Sequence, residues 1–335
     1  MRAIALSVVA VAVAVAALAA GQQNPYLGRW NLTGTGPDSN NVYWLEIKDE
    51  GGQLTGMFLN RVGNPNPLGQ VKVENGELIF NERGRGNALG QEYRAKLEDG
   101  KLIGKHAVVQ GGRGRRGGAA ADPNAPPPPP PTERTINWVG VRPPAWPKAD
   151  ASAKHTYGDP VVLFDGTSLD AFTAQNGGPI ERWSIVDGIA VNEYPNGRQI
   201  ASKQKFYNFK LNAEYKVAET SNSGIYMRGR YELQILDDAT LENGRPDFGH
   251  MAIYGRTPPR VKASKPAGEW QTMEAILVEN RVTVTLNGQR VHDNQEIEGI
   301  TGGALDNNEL TPGPLVIQGD HRQVFIRKLV VTPIK

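Results

Sequence analysis

The chain has 335 residues, enough for two domains of ordinary size. Its 37 lysines and arginines stand against 35 aspartates and glutamates, a net charge of +2 that gives no reason to expect nucleic acid or an acidic membrane surface as a partner. Cysteine is absent, which excludes disulfides, thiolate metal sites, iron–sulfur clusters and a cysteine nucleophile.

Residues 1–20 read as a secretory signal peptide. Arg2 precedes an apolar run from Ala3 to Ala20 with Ser7 as its one polar member, and Ala17-Leu18-Ala19 fits a small-residue cleavage signal. An uncleaved anchor is the alternative, because the run approaches the ~20 residues that span a bilayer. Alanine and valine drive insertion weakly, so the expectation is export to the periplasm or the medium, with no stable membrane insertion after cleavage.

Glycine (39) and proline (24) are abundant and punctuate short apolar runs, the pattern of an all-β chain. Residues 25–142 are expected to form a small antiparallel domain, a barrel or a sandwich. Strand-like stretches at 43–48, 54–59, 71–73, 78–81, 92–97, 101–109 and 135–141 are separated by turn signals such as Glu50-Gly51-Gly52, Asn75-Gly76 and Asp99-Gly100. Gly28-Arg29-Trp30 and Trp138-Val139-Gly140 resemble the opening and closing strands of small up-and-down barrels of the lipocalin kind. The tryptophans read better as packing against glycine than as a ligand site. Residues 111–133, rich in Gly, Arg and then Pro, cannot bury enough apolar surface to fold and read as a disordered insertion in the last hairpin. Residues 143–158 read as the linker.

Residues 159–335 show about twelve strand-length apolar or alternating runs and no convincing helix, which indicates two stacked antiparallel sheets in a jelly-roll sandwich. Asn287-Gly288 is the strongest hairpin signal. If Tyr226 pairs with Glu232 across an odd-numbered loop containing Gly229, then Tyr226, Arg228, Glu232 and Gln234 share one face. Ile225, Met227, Tyr231, Leu233 and Ile235 share the other. The preceding long strand, 206–217, would add Glu214 to the polar face. Such a face could be merely solvated, but planar and bidentate hydrogen-bonding groups suit sugar hydroxyls. His250, Tyr254, Trp270, Gln318, Asp320 and His321 lie in flanking segments able to roof it.

Six motifs follow one another at a familiar spacing: Val162-Leu163-Phe164-Asp165-Gly166-Thr167-Ser168-Leu169, Trp183-Ser184-Ile185-Val186-Asp187-Gly188, Asn222-Ser223-Gly224-Ile225-Tyr226-Met227-Arg228, Tyr231-Glu232-Leu233-Gln234-Ile235-Leu236-Asp237, Gly268-Glu269-Trp270 with Thr272, and Asn287-Gly288. Together they make residues 159–335 resemble the 3-keto-disaccharide hydrolase family. Phe172 and the extra glycine at Gly319 depart from the family pattern. The resemblance implies a concanavalin A-like sandwich, export, and cleavage of glycosides oxidised at carbon 3.

A carbonyl at carbon 3 acidifies the carbon-2 proton, so a base can remove it, an enolate forms, the carbon-1 substituent leaves and water adds back. On that chemistry Glu232 is the expected base, Arg228 the oxyanion stabiliser, and His250 or His321 the proton donor. Tyr226, Gln234, Glu214, Tyr254, Trp270 and Gln318 are the expected sugar contacts. No metal or cofactor is expected in catalysis, although sandwiches of this kind accommodate a structural calcium through oxygens such as those of Asp165, Asp237 or Asp320. Two other readings stand beside this one. The first is a non-catalytic carbohydrate-binding module. The second is a conventional jelly-roll β-glucanase in which Glu232 and Asp237 act as a retaining pair across a bulge.

Overall fold

The computed structural model describes residues 24–110, 132–240 and 246–335. The expected signal peptide lies outside the described residues, as does the expected disordered insertion except for Thr132 and Glu133, which open a strand. Among the described residues no helix is long and apolar enough to cross a membrane.

The first unit is a closed up-and-down barrel of β1 (Gly28–Gly34), β2 (Val42–Glu50), β3 (Gln53–Asn60), β4 (Asn66–Glu74), β5 (Glu77–Arg83), β6 (Leu89–Glu98), β7 (Lys101–Gln110) and β8 (Thr132–Val141), with β8 pairing back onto β1. Two-residue turns at Gly51-Gly52, Asn75-Gly76 and Asp99-Gly100 close its hairpins with positive φ at both positions, where their twist matches that of the strands. The interior is filled by Trp30, Leu32, Tyr43, Phe58, Phe80, Tyr93, Leu102 and Trp138, so the barrel holds a packed core. Gly104 faces the Trp138 indole so closely that a Cβ there would overlap the ring, which confirms the packing role of this tryptophan.

The second unit is a sandwich. Its strands are β9 (Val161–Phe164), β10 (Phe172–Ala174), β11 (Trp183–Val186), β12 (Ile189–Asn192), β13 (Ile200–Phe206), β14 (Phe209–Val217) and β15 (Asn222–Met227). There follow β16 (Tyr231–Leu236), β17 (Gln271–Val278), β18 (Arg281–Leu286), β19 (Gln289–Glu296), β20 (Gly313–Ile317) and β21 (Val324–Pro333). One sheet has five strands in the order β10-β13-β20-β15-β16. The other has eight, β11-β12-β21-β14-β17-β18-β19 with β9 added on β21. Strict alternation along β14 buries Phe209, Leu211, Ala213 and Tyr215 in one core with Ile225, Leu233 and Ile235 of the facing sheet. Each such side chain contributes about 1.5–3 kcal/mol by leaving water.

Barrel and sandwich are joined by the segment 297–311. Ile300 and Ala304 pack on Val42, Trp44 and Leu59 of the barrel. The Arg256 guanidinium lies 4.4 Å from the Trp44 ring centroid and donates through Nε to the Ile300 carbonyl at 2.9 Å. Glu309 accepts from barrel Asn31 at 2.7 Å and from the Tyr231 hydroxyl at 2.7 Å, while Asn307 donates to the Leu32 carbonyl at 2.7 Å. Desolvation lowers the half-buried Arg256 guanidinium to about 10, so it still carries its charge at neutral pH.

Candidate active site

The β15–β16 hairpin pairs Tyr226 with Glu232 and Gly224 with Gln234, the register that the alternation of polar and apolar residues demands. Its loop is the odd-numbered one, Arg228-Gly229-Arg230, with Gly229 at φ +67°. Ile225, Met227, Tyr231, Leu233 and Ile235 enter the inter-sheet core. The opposite face of the hairpin floors a cavity of about 160 Å³. Tyr226, Glu232, Gln234 and Asn222 line it from below, with Gln199, Tyr254, Gly302, Gly303, Gln318, Asp320 and His321 around them and Val62 and Gly63 of the barrel at its edge.

Glu232 is 2% exposed, and burial pushes its carboxyl up to about 8. A hydrogen bond with the Tyr226 hydroxyl opposes that shift, and the charge of Asp320 adds to it. The Tyr226 hydroxyl donates to the Gly302 carbonyl at 3.0 Å, and burial raises this phenol well above its ordinary range, so it stays neutral. At the exposed side of the cavity His321 Nδ1 lies 2.9 Å from Asp320 Oδ1. Their hydrogen bond holds Asp320 below and His321 above their ordinary values. The buried Oε1 atoms of Gln234 and Gln318 have no hydrogen-bond partner, which leaves these two amides uncommitted beside the cavity. Two glycines make the room: a Cβ at Gly303 would come within 2.7 Å of the Tyr226 hydroxyl, and one at Gly224 would collide with Glu232 Oε1.

The structure therefore brings together Glu232, Tyr226, Gln234, Tyr254, Gln318 and His321. It does not bring the other four expected residues to them. Arg228 lies one residue beyond the end of β15 with φ +54°, so the two-residue period no longer governs its side chain. Its guanidinium donates to the carbonyls of Glu309 and Glu279 and sits 4.4 Å from the Tyr207 ring centroid, fully buried and away from the cavity. His250 is a core residue, with Nε2 2.7 Å from the Tyr215 hydroxyl and Nδ1 2.7 Å from the Leu236 carbonyl. Burial lowers it. Glu214 is on β14, which belongs to the other sheet, and on its outer face, where it accepts from Arg327 at 2.6 Å. Trp270 immediately precedes β17 of that sheet, with Arg327 4.3 Å from its ring centroid.

Asp237 does not rejoin the Glu232 face as a glucanase pair requires; it accepts from the Thr220 amide at 2.7 Å. Asp165 is engaged by Thr167 and Asp320 by His321, and among the described residues no three His, Cys, Asp or Glu side chains gather as a metal site. A larger but shallow hollow of about 470 Å³ lies over the outer face of the eight-stranded sheet. There Glu214 pairs with Arg327 and Lys210 approaches Glu274 at 3.9 Å, the signature of a solvated surface. The smaller cavity holds the perturbed carboxyl and the orphaned amides, and is the candidate site.

Asn222, Gln199, Asp320 and the glycine pair at 302–303 complete the cavity beyond the sequence-derived set of contacts. Asn222 was accessible to sequence reasoning, because it continues the Gly224, Tyr226 alternation. Val62 and Gly63 come from another unit and carry no local signal.

The sequence profile of the family described as the 3-keto-alpha-glucoside-1,2-lyase-like domain matches residues 159–332, more than half of the chain. A curated 3-keto-disaccharide hydrolase of Bacteroides thetaiotaomicron is 25% identical in an alignment of length 167 that covers 39% of this chain and 57% of the relative. The chain thus spans a little over half the length of that protein. Two solved structures from Parabacteroides distasonis, provisionally described as glycosyl hydrolases, align with TM-scores of 0.46 and 0.45. They are 21% and 26% identical, covering 52% and 57% of this chain and 94% and 91% of their own.

Proposed function

We propose that this chain, which belongs to the 3-keto-alpha-glucoside-1,2-lyase-like family, cleaves 3-keto-glycosides by proton abstraction at carbon 2, elimination and hydration. The observation that carries the reading is a buried Glu232 carboxyl raised to about 8 and facing a cavity with polar walls. A base of that strength suits a proton made acidic only by a neighbouring ketone, since proton transfer is most effective with a base tuned upward toward the working pH. Ionised Glu232 takes the carbon-2 proton. The enolate oxygen needs donors, and with Arg228 engaged elsewhere that role passes to the amide groups of Asn222, Gln234 and Gln318. His321, held by Asp320 at the exposed side of the cavity, gives its proton to the departing carbon-1 oxygen and then activates the water that adds back. No metal or cofactor enters this scheme. Export places the enzyme where glycosides are met outside the cytoplasm.

The test is aglycone release from paired methyl or nitrophenyl glucosides, ordinary and oxidised at carbon 3. Release from the oxidised member alone is expected. Equal release from both would return the assignment to a conventional glycosidase, and binding without release to a carbohydrate-binding module.

A further inference from the structure

The barrel loop 61–65, between β3 and β4, is built into the edge of the cavity. The Gly303 amide donates to the Arg61 carbonyl at 2.8 Å. A Cβ at Gly302 would collide with the Gly63 backbone, and one at Gly255 with Asn64, so the loop is seated at distances that only glycine permits. Val62 is 71% exposed and lines two hollows at once: the Glu232 cavity and, on its barrel side, a second hollow of about 200 Å³. Asn60, Asn64, Asn66 and Glu82 give that second hollow polar walls, and Phe58 and Pro67 border it with apolar surface. Neither hollow alone reaches the ~300 Å³ at which sites for drug-sized ligands begin; the two together do.

We infer that the barrel completes the substrate site. Its hollow takes the leaving group, and Val62 marks the crossing point of the glycosidic bond. Asn60 donates to Glu82 at 2.7 Å and Asn66 to the Asn64 carbonyl at 3.0 Å, which leaves each of these amides a second N–H, and the Glu82 carboxylate further lone pairs, for the hydroxyls of a leaving group. The apolar edge formed with Pro67 suits the face of a pyranose. The inference rests on the reading of the Glu232 cavity as the site of the reacting ring, and it gives the barrel, which lies outside the matched family region, a part in substrate choice.

Binding tests it in the full chain carrying Glu232→Gln, so that intact ligand persists. A 3-keto-disaccharide and methyl 3-keto-glucoside are titrated calorimetrically into that protein and into versions with Asn66→Ala or Val62→Trp added. The ratio of the two affinities is the readout, with a melting curve to show that each variant is folded. Asn66→Ala should lower the preference for the disaccharide by about 3- to 10-fold, the loss of one hydrogen-bonding group. Val62→Trp, which obstructs the crossing, should lower it by about tenfold or more. A ratio unchanged in both variants overturns the subsite whatever the turnover of the wild type. A ratio that falls while the wild type releases nothing from either compound leaves the subsite standing and removes the catalytic reading instead.

Discussion

Gly224 stands across the β15–β16 pair from Gln234 and leaves open the volume that the Glu232 carboxyl occupies, with no atom of its own to fill it. The nearest alternative residue has no room: an alanine methyl would overlap Oε1 and crowd the Cδ and Cγ of Glu232 at 2.8 Å. Gly224→Ala should therefore move the carboxyl. Overpacking of a rigid interior costs about 1–3 kcal/mol, and a displacement of about 1 Å in a reacting group costs about a hundredfold in rate. Urea denaturation and turnover of a 3-keto-glucoside measure the two effects. Wild-type values in both would show that Glu232 has space the structure denies it.

The raised carboxyl makes stability depend on pH in a definite sense. Folded Glu232 holds its proton up to about pH 8, while in the unfolded chain it releases it near 4.5, so between these values the folded state binds more protons. Its contribution is complete below about 4.5, falls as pH rises, and levels off above 8, with a slope of at most about 1.4 kcal/mol per pH unit. His106, lowered to about 4 by burial, acts in the opposite sense between 4 and 6.5 and would mask the effect in a single curve. The difference between Glu232→Gln and wild type cancels His106. The variant should gain melting temperature relative to wild type from pH 5 to pH 8.5. A constant difference across that range would mean that Glu232 is ionised in the folded protein at all of these pH values.

The fold was legible where physics acts locally. Asn75-Gly76, Asp99-Gly100 and Asn287-Gly288 close hairpins because both of their residues adopt positive φ, and a period of two fixed the Tyr226–Glu232 register. Alternation specifies a face and says nothing about which sheet the strand joins. Alternation alone therefore groups Glu214 with Glu232, although β14, which follows the same rule as β15, pairs with β17 and β21. Arg228 shows the same limit at a strand end, where one residue with positive φ redirects a side chain that the pattern would have continued. His250 could not be told from a site residue by type, because a buried imidazole with two partners and a catalytic one share the same letter. The barrel's share in the cavity depends on packing between units far apart in sequence, which no local period records.

Asp320 acts on both groups of the proposed acid–base pair. Its carboxylate raises His321 through their hydrogen bond and adds to the elevation of Glu232 through its charge. Asp320→Asn removes both influences. The His321 imidazole should then titrate at lower pH, read directly from its ring resonances, and both limbs of the pH profile of kcat/KM should move toward acid. An unmoved imidazole would show that the Asp320–His321 contact has no hold on the proton. Movement of the imidazole with a fixed rate profile would take His321 out of the reaction.

Elimination has a consequence that displacement lacks, since the carbon-2 hydrogen must leave the sugar. Glu232 would accept it, and a carboxylic acid formed in a cavity open at the His321 side exchanges its proton with water. The hydrogen restored at carbon 2 after hydration then comes from solvent. A 3-keto-glucoside deuterated at carbon 2 should release a sugar that has lost its label, and the rate should fall with the label if proton removal is the slow step. Glu232→Gln keeps the size and the hydrogen bonds of the side chain and removes the base, so turnover should drop by about a hundredfold or more while binding of the intact glycoside persists. Full retention of deuterium in the product, together with appreciable turnover by Glu232→Gln, would show that the carbon-2 bond is never broken. The cavity would then be doing direct displacement with some other group at its centre.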